Sequence, residues 1–168
     1  VQITHKCERR KEMKHFLKLT LVAALSLLCL TACGKGGKNV EVDVEALASA
    51  LQSETVTSDT LTQAAPEMFS SIYFVESDQM EAGAAYLSSG ATACEVAVIQ
   101  SKDASQTKEV EKLFENRVTN QSNLYASYAP EEVTRLDAAI IKSAGSYTVL
   151  CVCDDTDKAE EILKEYGF

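Results

Sequence analysis

The sequence predicts an α+β fold. The expectation is a two-layer domain with an about four-stranded, mostly antiparallel sheet, helices on one face and an extra N-terminal helix. Two observations lead there. A strand–turn–strand–helix pattern occurs twice: Ala84-Ala85-Tyr86-Leu87-Ser88-Ser89-Gly90 parallels Ala138-Ala139-Ile140-Ile141-Lys142-Ser143-Ala144-Gly145. Each is followed by an aliphatic strand, an Asp-containing cap and an amphipathic helix, which gives two β-β-α units. The second observation is size and composition. At 168 residues, 46% hydrophobic and 24% charged, the chain has room for one ordinary domain and the make-up of a folded rather than a disordered protein.

From the N-terminus, residues 1–12 do not read as part of any folded element. Arg9-Arg10 can be encoded AGG-AGG, a ribosome-binding sequence just ahead of Met13. Residues 1–12 therefore read as an untranslated leader, with synthesis starting at Met13. Residues 13–32 read as a lipoprotein signal peptide: basic Met13-Lys14-His15-Phe16-Leu17-Lys18, an uncharged run from Leu19 to Leu30, then small residues. The apolar run is too short for a membrane-spanning helix, which needs roughly 20 residues. Leu30-Thr31-Ala32-Cys33 has the form of a bacterial lipobox. Cys33 is the expected site of lipid attachment, with two acyl chains holding the protein to the membrane. Residues 33–42 read as that cysteine and a flexible tether, Gly34-Lys35-Gly36-Gly37-Lys38-Asn39 being polar and glycine-rich.

Residues 43–168 are expected to form a single globular domain. Val44, Leu47, Ala48 and Leu51 fall at i, i+3, i+4 and i+7, which predicts a helix over 43–53 with Asp43 as its cap. The Ser/Thr-rich stretch 54–63 reads as loop. Residues 64–73 suit a helix with Pro66 in its first turn, while Ile72-Tyr73-Phe74-Val75 suits a short strand equally well. Strands are expected at 84–88 and 95–100, then a long helix over 103–123 with Val110, Leu113, Phe114 and Val118 on one face. A short helix follows Pro130. Strands at 137–142 and 147–153 flank Ala144-Gly145, and a last helix spans 156–166.

Composition excludes several activities. Residues 33–168 carry ten Lys/Arg and 23 Asp/Glu, so a phosphate backbone is repelled and nucleic acid is not an expected partner. The only histidines are His5 and His15, both ahead of Cys33. The domain therefore has no Ser-His-Asp or Cys-His machinery and no His-ligated metal site. Neither G-x-x-x-x-G-K-[ST] nor G-x-G-x-x-G occurs.

What chemistry remains is open at this level. Cys151-Val152-Cys153 puts two thiols on one face of a strand, and Cys94 begins another strand. The three read as buried small hydrophobes, a disulfide or a thiolate site, and a Cys94 bridge requires the two strands to be neighbours. Asp154-Asp155-Thr156-Asp157 reads as helix capping ahead of a calcium site. The helix acids Glu109, Glu111, Glu115, Glu160, Glu161 and Glu165 alternate with lysines and read as solvated faces. Tyr73, Tyr86, Tyr125, Tyr128, Tyr147 and Tyr166 read as core edges rather than one shared patch.

Several segments in order carry a resemblance. They are Ser89-Gly90-Ala91-Thr92-Ala93-Cys94-Glu95-Val96-Ala97-Val98, Tyr128-x-Pro130-x-Glu132, Leu136, Gly145-Ser146-Tyr147-x-Val149-Leu150 and Asp154-Asp155. Together, over roughly residues 43–166, they resemble a family of uncharacterised small lipoproteins of Gram-positive, largely Firmicutes bacteria, catalogued as a domain of unknown function. The resemblance implies an exported, membrane-anchored domain and brings no catalytic, cofactor-binding or metal-ligating residue. Cys94, Cys151 and Cys153 lie outside its pattern.

The expectation is thus a lipid-anchored protein on the outer face of a bacterial cytoplasmic membrane. It would act without catalysis, binding a small ligand or docking another envelope protein, and use no cofactor. The alternatives are a small enzyme using carboxylate or Ser/Tyr/Lys chemistry, and a thiol- or metal-dependent protein using Cys94, Cys151 and Cys153.

Overall fold

The computed structural model describes residues 41–168. The expected leader, signal peptide, lipid-attachment residue Cys33 and nearly all of the tether lie outside the described residues.

Asp43 starts the first helix, α1 (Val44–Thr55), by accepting from the Glu45 and Ala46 N–H groups, both at 3.1 Å. A two-residue strand β1 (Thr62–Gln63) and a 3₁₀ turn (Pro66–Met68) lead into α2 (Phe69–Tyr73). Phe74, in the left-handed region at φ 59°, ends α2, so Ile72–Phe74 is not a strand. Strands β2 (Met80–Leu87) and β3 (Glu95–Ser101) follow. Asp103 and Gln106 then cap a 3₁₀ turn reciprocally and open the long helix α3 (Thr107–Tyr125). A short α4 (Glu131–Asp137), the hairpin β4 (Ile140–Ala144) and β5 (Tyr147–Val152), and α5 (Thr156–Glu165) complete the domain.

The sheet is antiparallel throughout, in the order β1-β2-β3-β5-β4. The α+β class holds, with five strands where about four are expected. The added strand is β1, whose Thr62 and Gln63 pair with Leu87 and Tyr86. Two residues are too few to show alternation, so this stretch reads as loop in the sequence.

The expected single helical layer is corrected to two. On β3, Val96 and Val98 join one core while Ala97 and Ile99 join another; on β5, Val149 and Cys151 divide likewise from Leu150 and Val152. Successive residues of a strand point to opposite faces, so both faces are buried. α1 and α5 cover the first through Leu47, Leu51, Ile162 and Leu163. α2, α3 and α4 cover the second through Phe69, Tyr73, Val110, Phe114 and Leu136. The two β-β-α units therefore send their helices to opposite faces. The signal for this is the unbroken apolar runs Val96–Ile99 and Val149–Val152, since a strand with one wet face alternates. On the second face Gly83 makes room for an aromatic ring: a Cβ there would lie 2.8 Å from Phe69, which is fully buried.

Candidate functional site

The β2–β3 connection, residues 88–94, is held by hydrogen bonds rather than by regular structure. Gly90 takes φ +100° at its bend, a conformation open to glycine. Ser88 Oγ accepts from the N–H groups of Gly90 (3.0 Å) and Thr92 (3.2 Å) and donates to Asp59 Oδ2 (2.6 Å). Thr92 Oγ1 donates to the same oxygen at 2.8 Å. These two hydroxyls, Ser88 first, hold the Asp59 carboxyl below its ordinary range. From α3, the Tyr125 hydroxyl donates to the Thr92 carbonyl, and burial pushes its phenol well above the ordinary range.

A second set of bonds locks the loop to the rest of the domain. Glu132 of α4 accepts the Ala93 N–H at 2.8 Å and Arg135 Nε at 2.9 Å. Arg135 Nη1 also donates to Asp154, just after β5. Asp154 in turn accepts the N–H groups of Thr57 (2.6 Å) and Ser58 (2.8 Å) and the Ser58 hydroxyl (2.9 Å). One carboxylate thus joins the α1–β1 loop to α4. Burial pushes Asp154 up, but Arg135 and the Thr57 and Ser58 donors outweigh it and hold the carboxyl well below the usual range. A depressed folded pKa means stability that is complete above the unfolded value of about 4 and is lost as pH falls through the folded one. Wild type and Asp154→Asn should therefore differ most in urea midpoint near neutral pH. The gap should shrink steadily below about pH 4. A gap that stayed constant to pH 2 would remove Asp154 from this role.

Between the 88–95 segment and the second half of α3 lies a pocket of ≈ 180 Å³, lined among others by Ser88, Glu95, Arg117, Gln121, Leu124 and Tyr128. Glu95 is 5% exposed, at the head of a strand whose next four residues are apolar. Arg117 grips it with Nε 3.2 Å from both carboxylate oxygens and Nη2 2.8 Å from Oε2. Burial works against the Arg117 charge, but Glu95 outweighs it and holds the guanidinium protonated. Among the described residues Arg117 Nη1 donates to nothing, which leaves N–H donors for a bound acceptor. Leu124 (53%) and Tyr128 (55%) stand exposed at this rim, and Tyr128 packs on Tyr125 with ring centroids 5.0 Å apart. A second pocket, ≈ 250 Å³, is lined by Pro66, Glu67, Val75, Glu76 and Met80 among others. It lacks the fixed charge pair and aromatic rim of the first.

Of the sequence candidates, Cys94, Cys151 and Cys153 are free, buried thiols in the core beneath α1 and α5. Asp155 caps α5, accepting the Lys158 N–H at 2.9 Å, so the capping reading holds for Asp155. Asp154 is the tie described above. Among the described residues, no three His, Cys, Asp or Glu side chains are placed to hold a metal ion. Only Tyr125 and Tyr128 of the six tyrosines meet at the pocket; Tyr73 and Tyr147 are buried in opposite cores. Arg117 and Arg135 have no counterpart among the sequence candidates, and Glu95 and Glu132 stand there only as positions of the resembling segments, with no role assigned. A signal for Arg117 exists: it lies three residues after Phe114 and seven after Val110, a cation on the inward face of α3.

No helix among the described residues is long and apolar enough to cross a membrane. No curated protein and no solved structure matches the chain. A family model does match residues 54–153, from the end of α1 through β5, so it takes in the whole sheet, α2–α4, the pocket, the Asp59 network and Arg135, and stops one residue short of Asp154. On that match the chain belongs to the Domain of unknown function (DUF4358) family.

Proposed function

We propose that this protein is a non-catalytic binding module of the bacterial cell envelope, held outside the membrane by lipid on Cys33. The observation that carries the binding role is the Arg117 pocket. Its floor is fixed by a buried ion pair and by the Ser88–Asp59–Thr92 bonds. Its rim presents Leu124 and Tyr128, an amphipathic pairing suited to contact. At ≈ 180 Å³ it is smaller than the roughly 300–1,000 Å³ of sites that enclose a whole small molecule. It suits one protruding group of a larger partner, an acceptor such as a carboxylate or amide carbonyl set against Arg117 Nη1.

The anchoring half of the proposal is supported by the sequence Leu30-Thr31-Ala32-Cys33 after its basic and apolar segments. Thermal unfolding of the protein against short peptides, cell-wall fragments, amino acids and sugars tests the binding half. A ligand at about 100 times its Kd adds about 2.7 kcal/mol, seen as a raised midpoint. The double substitution Leu124→Ser/Tyr128→Ser, both on exposed residues, should lower the unliganded midpoint only slightly, by the loss of the Tyr125 stacking, and abolish the shift. A shift that survives that substitution places binding elsewhere, and none with any ligand removes the pocket as a site for these classes. Independently, Cys33→Ser should release the protein from the membrane fraction or leave it uncleaved.

A further inference from the structure

The register of the sheet sets two of the three thiols face to face. β3 and β5 are antiparallel neighbours, with Val96 opposite Cys151 and Glu95 opposite Val152. Continuing that register by one rung, just past the ends of both strands, sets Cys94 against Cys153. Both belong to the core beneath α1 and α5, so both side chains lie on the same side of the sheet.

The kind of rung follows from the backbone bonds of Cys94. Its carbonyl accepts the Ser88 N–H at 3.3 Å, on the β2 side. In a strand the N–H and C=O of one residue point to the same neighbour. Toward β5, Cys94 is therefore in a non-hydrogen-bonded position, the closer kind of antiparallel pair, with Cα atoms about 4.5 Å apart. That lies within the span of roughly 4.4–6.8 Å that a disulfide bridges. Cys151 is worse placed. It is two residues from Cys153 on one strand, a separation of about 6.5 Å, and it faces Val96 rather than a thiol.

We infer that Cys94 and Cys153 form a cross-strand disulfide when the chain folds in the presence of a low-molecular-weight disulfide oxidant, with Cys151 left as a free thiol. The step balances as thiol–disulfide exchange. The Cys153 thiolate attacks one sulfur of the oxidant and expels one thiolate, leaving a mixed disulfide. The Cys94 thiolate then attacks the Cys153 sulfur and expels the second. The protein loses two protons and two electrons, and the oxidant becomes two thiols. Both thiols are nearly inaccessible in the folded protein, at 1% and 4% exposure, so exchange belongs to the folding stage.

The test is to refold the reduced full chain in a mixture of oxidised and reduced glutathione, alkylate the remaining thiols, and digest with trypsin. The expected product joins the peptide containing Cys94 to the one containing Cys151 and Cys153, with one alkyl group on Cys151 and otherwise about 2 Da lighter than the two reduced peptides together. Cys151→Ala should retain that cross-link, and Cys153→Ala should lose it. Recovery of Cys94 fully alkylated, or a cross-link that survives in Cys153→Ala and vanishes in Cys151→Ala, overturns the assignment. The wild-type digest decides the first point even where a variant folds poorly.

Discussion

Arg117→Met should destabilise the domain by about 3–5 kcal/mol, because it leaves the Glu95 carboxylate buried without its partner. The expectation rests on geometry. Glu95 has a side-chain exposure of 7% and Arg117 of 23%, and the guanidinium meets both carboxylate oxygens. A domain of this size has about 5–15 kcal/mol in all, so urea unfolding should show a large fall in midpoint. The double variant Arg117→Met/Glu95→Leu should recover much of the loss, since apolar groups of similar volume often replace a buried pair at little cost. A loss under about 1 kcal/mol for Arg117→Met would mean the pair behaves as a solvated surface bridge. The same substitution removes the proposed acceptor-binding donors, so the double variant separates the two effects: stability returns and ligand binding does not.

Phe114→Ala should cost about 3–5 kcal/mol, the range for emptying a buried aromatic site. Phe114 is fully buried and meets Tyr73 edge-on, with centroids 5.4 Å apart and planes at 76°, a geometry that adds to simple burial. Leu124→Ala, on the same helix but 53% exposed, should change stability by no more than about 0.5 kcal/mol. The comparison tests the second helical layer directly. Equal small effects at both positions would mean α3 does not cover the sheet.

Much of the fold was legible because its signals are local. The spacing of Val44, Leu47, Ala48 and Leu51 and the Asp43 cap produce α1, within two residues of the expected end. Ala159, Ile162 and Leu163 produce α5 in the same way. The aliphatic runs of β3 and β5 mark both strands, yet their alternation is hidden because every second residue is also buried. That is why one helical layer was expected and two are present.

The candidate site was less legible, and Asp154 shows why. An aspartate at a strand-to-helix junction reads as a cap, which is a statement about residues a few positions away. Its actual donors, Thr57 and Ser58, lie 97 and 96 residues away in the chain. Glu95 and Arg117 are 22 residues apart, on a strand and a helix whose periods say which residues point inward and not which of them meet. Pairing them requires knowing that α3 crosses the face of β3 at that height.

Sequence by itself determined the longer elements and the family: periods of 3.6 and 2, caps and turn glycines are written in neighbouring residues. The proposed lipid attachment at Cys33 likewise rests on a linear motif, Leu30-Thr31-Ala32-Cys33, carried by consecutive residues and independent of how the domain packs. Tertiary structure decided which face each helix covers, that Arg117 meets Glu95 at a pocket, and that the β3–β5 register carries Cys94 toward Cys153. Each of these is set by strand register and helix placement. The last two concern residues 22 and 59 positions apart, and no local pattern encodes such a separation.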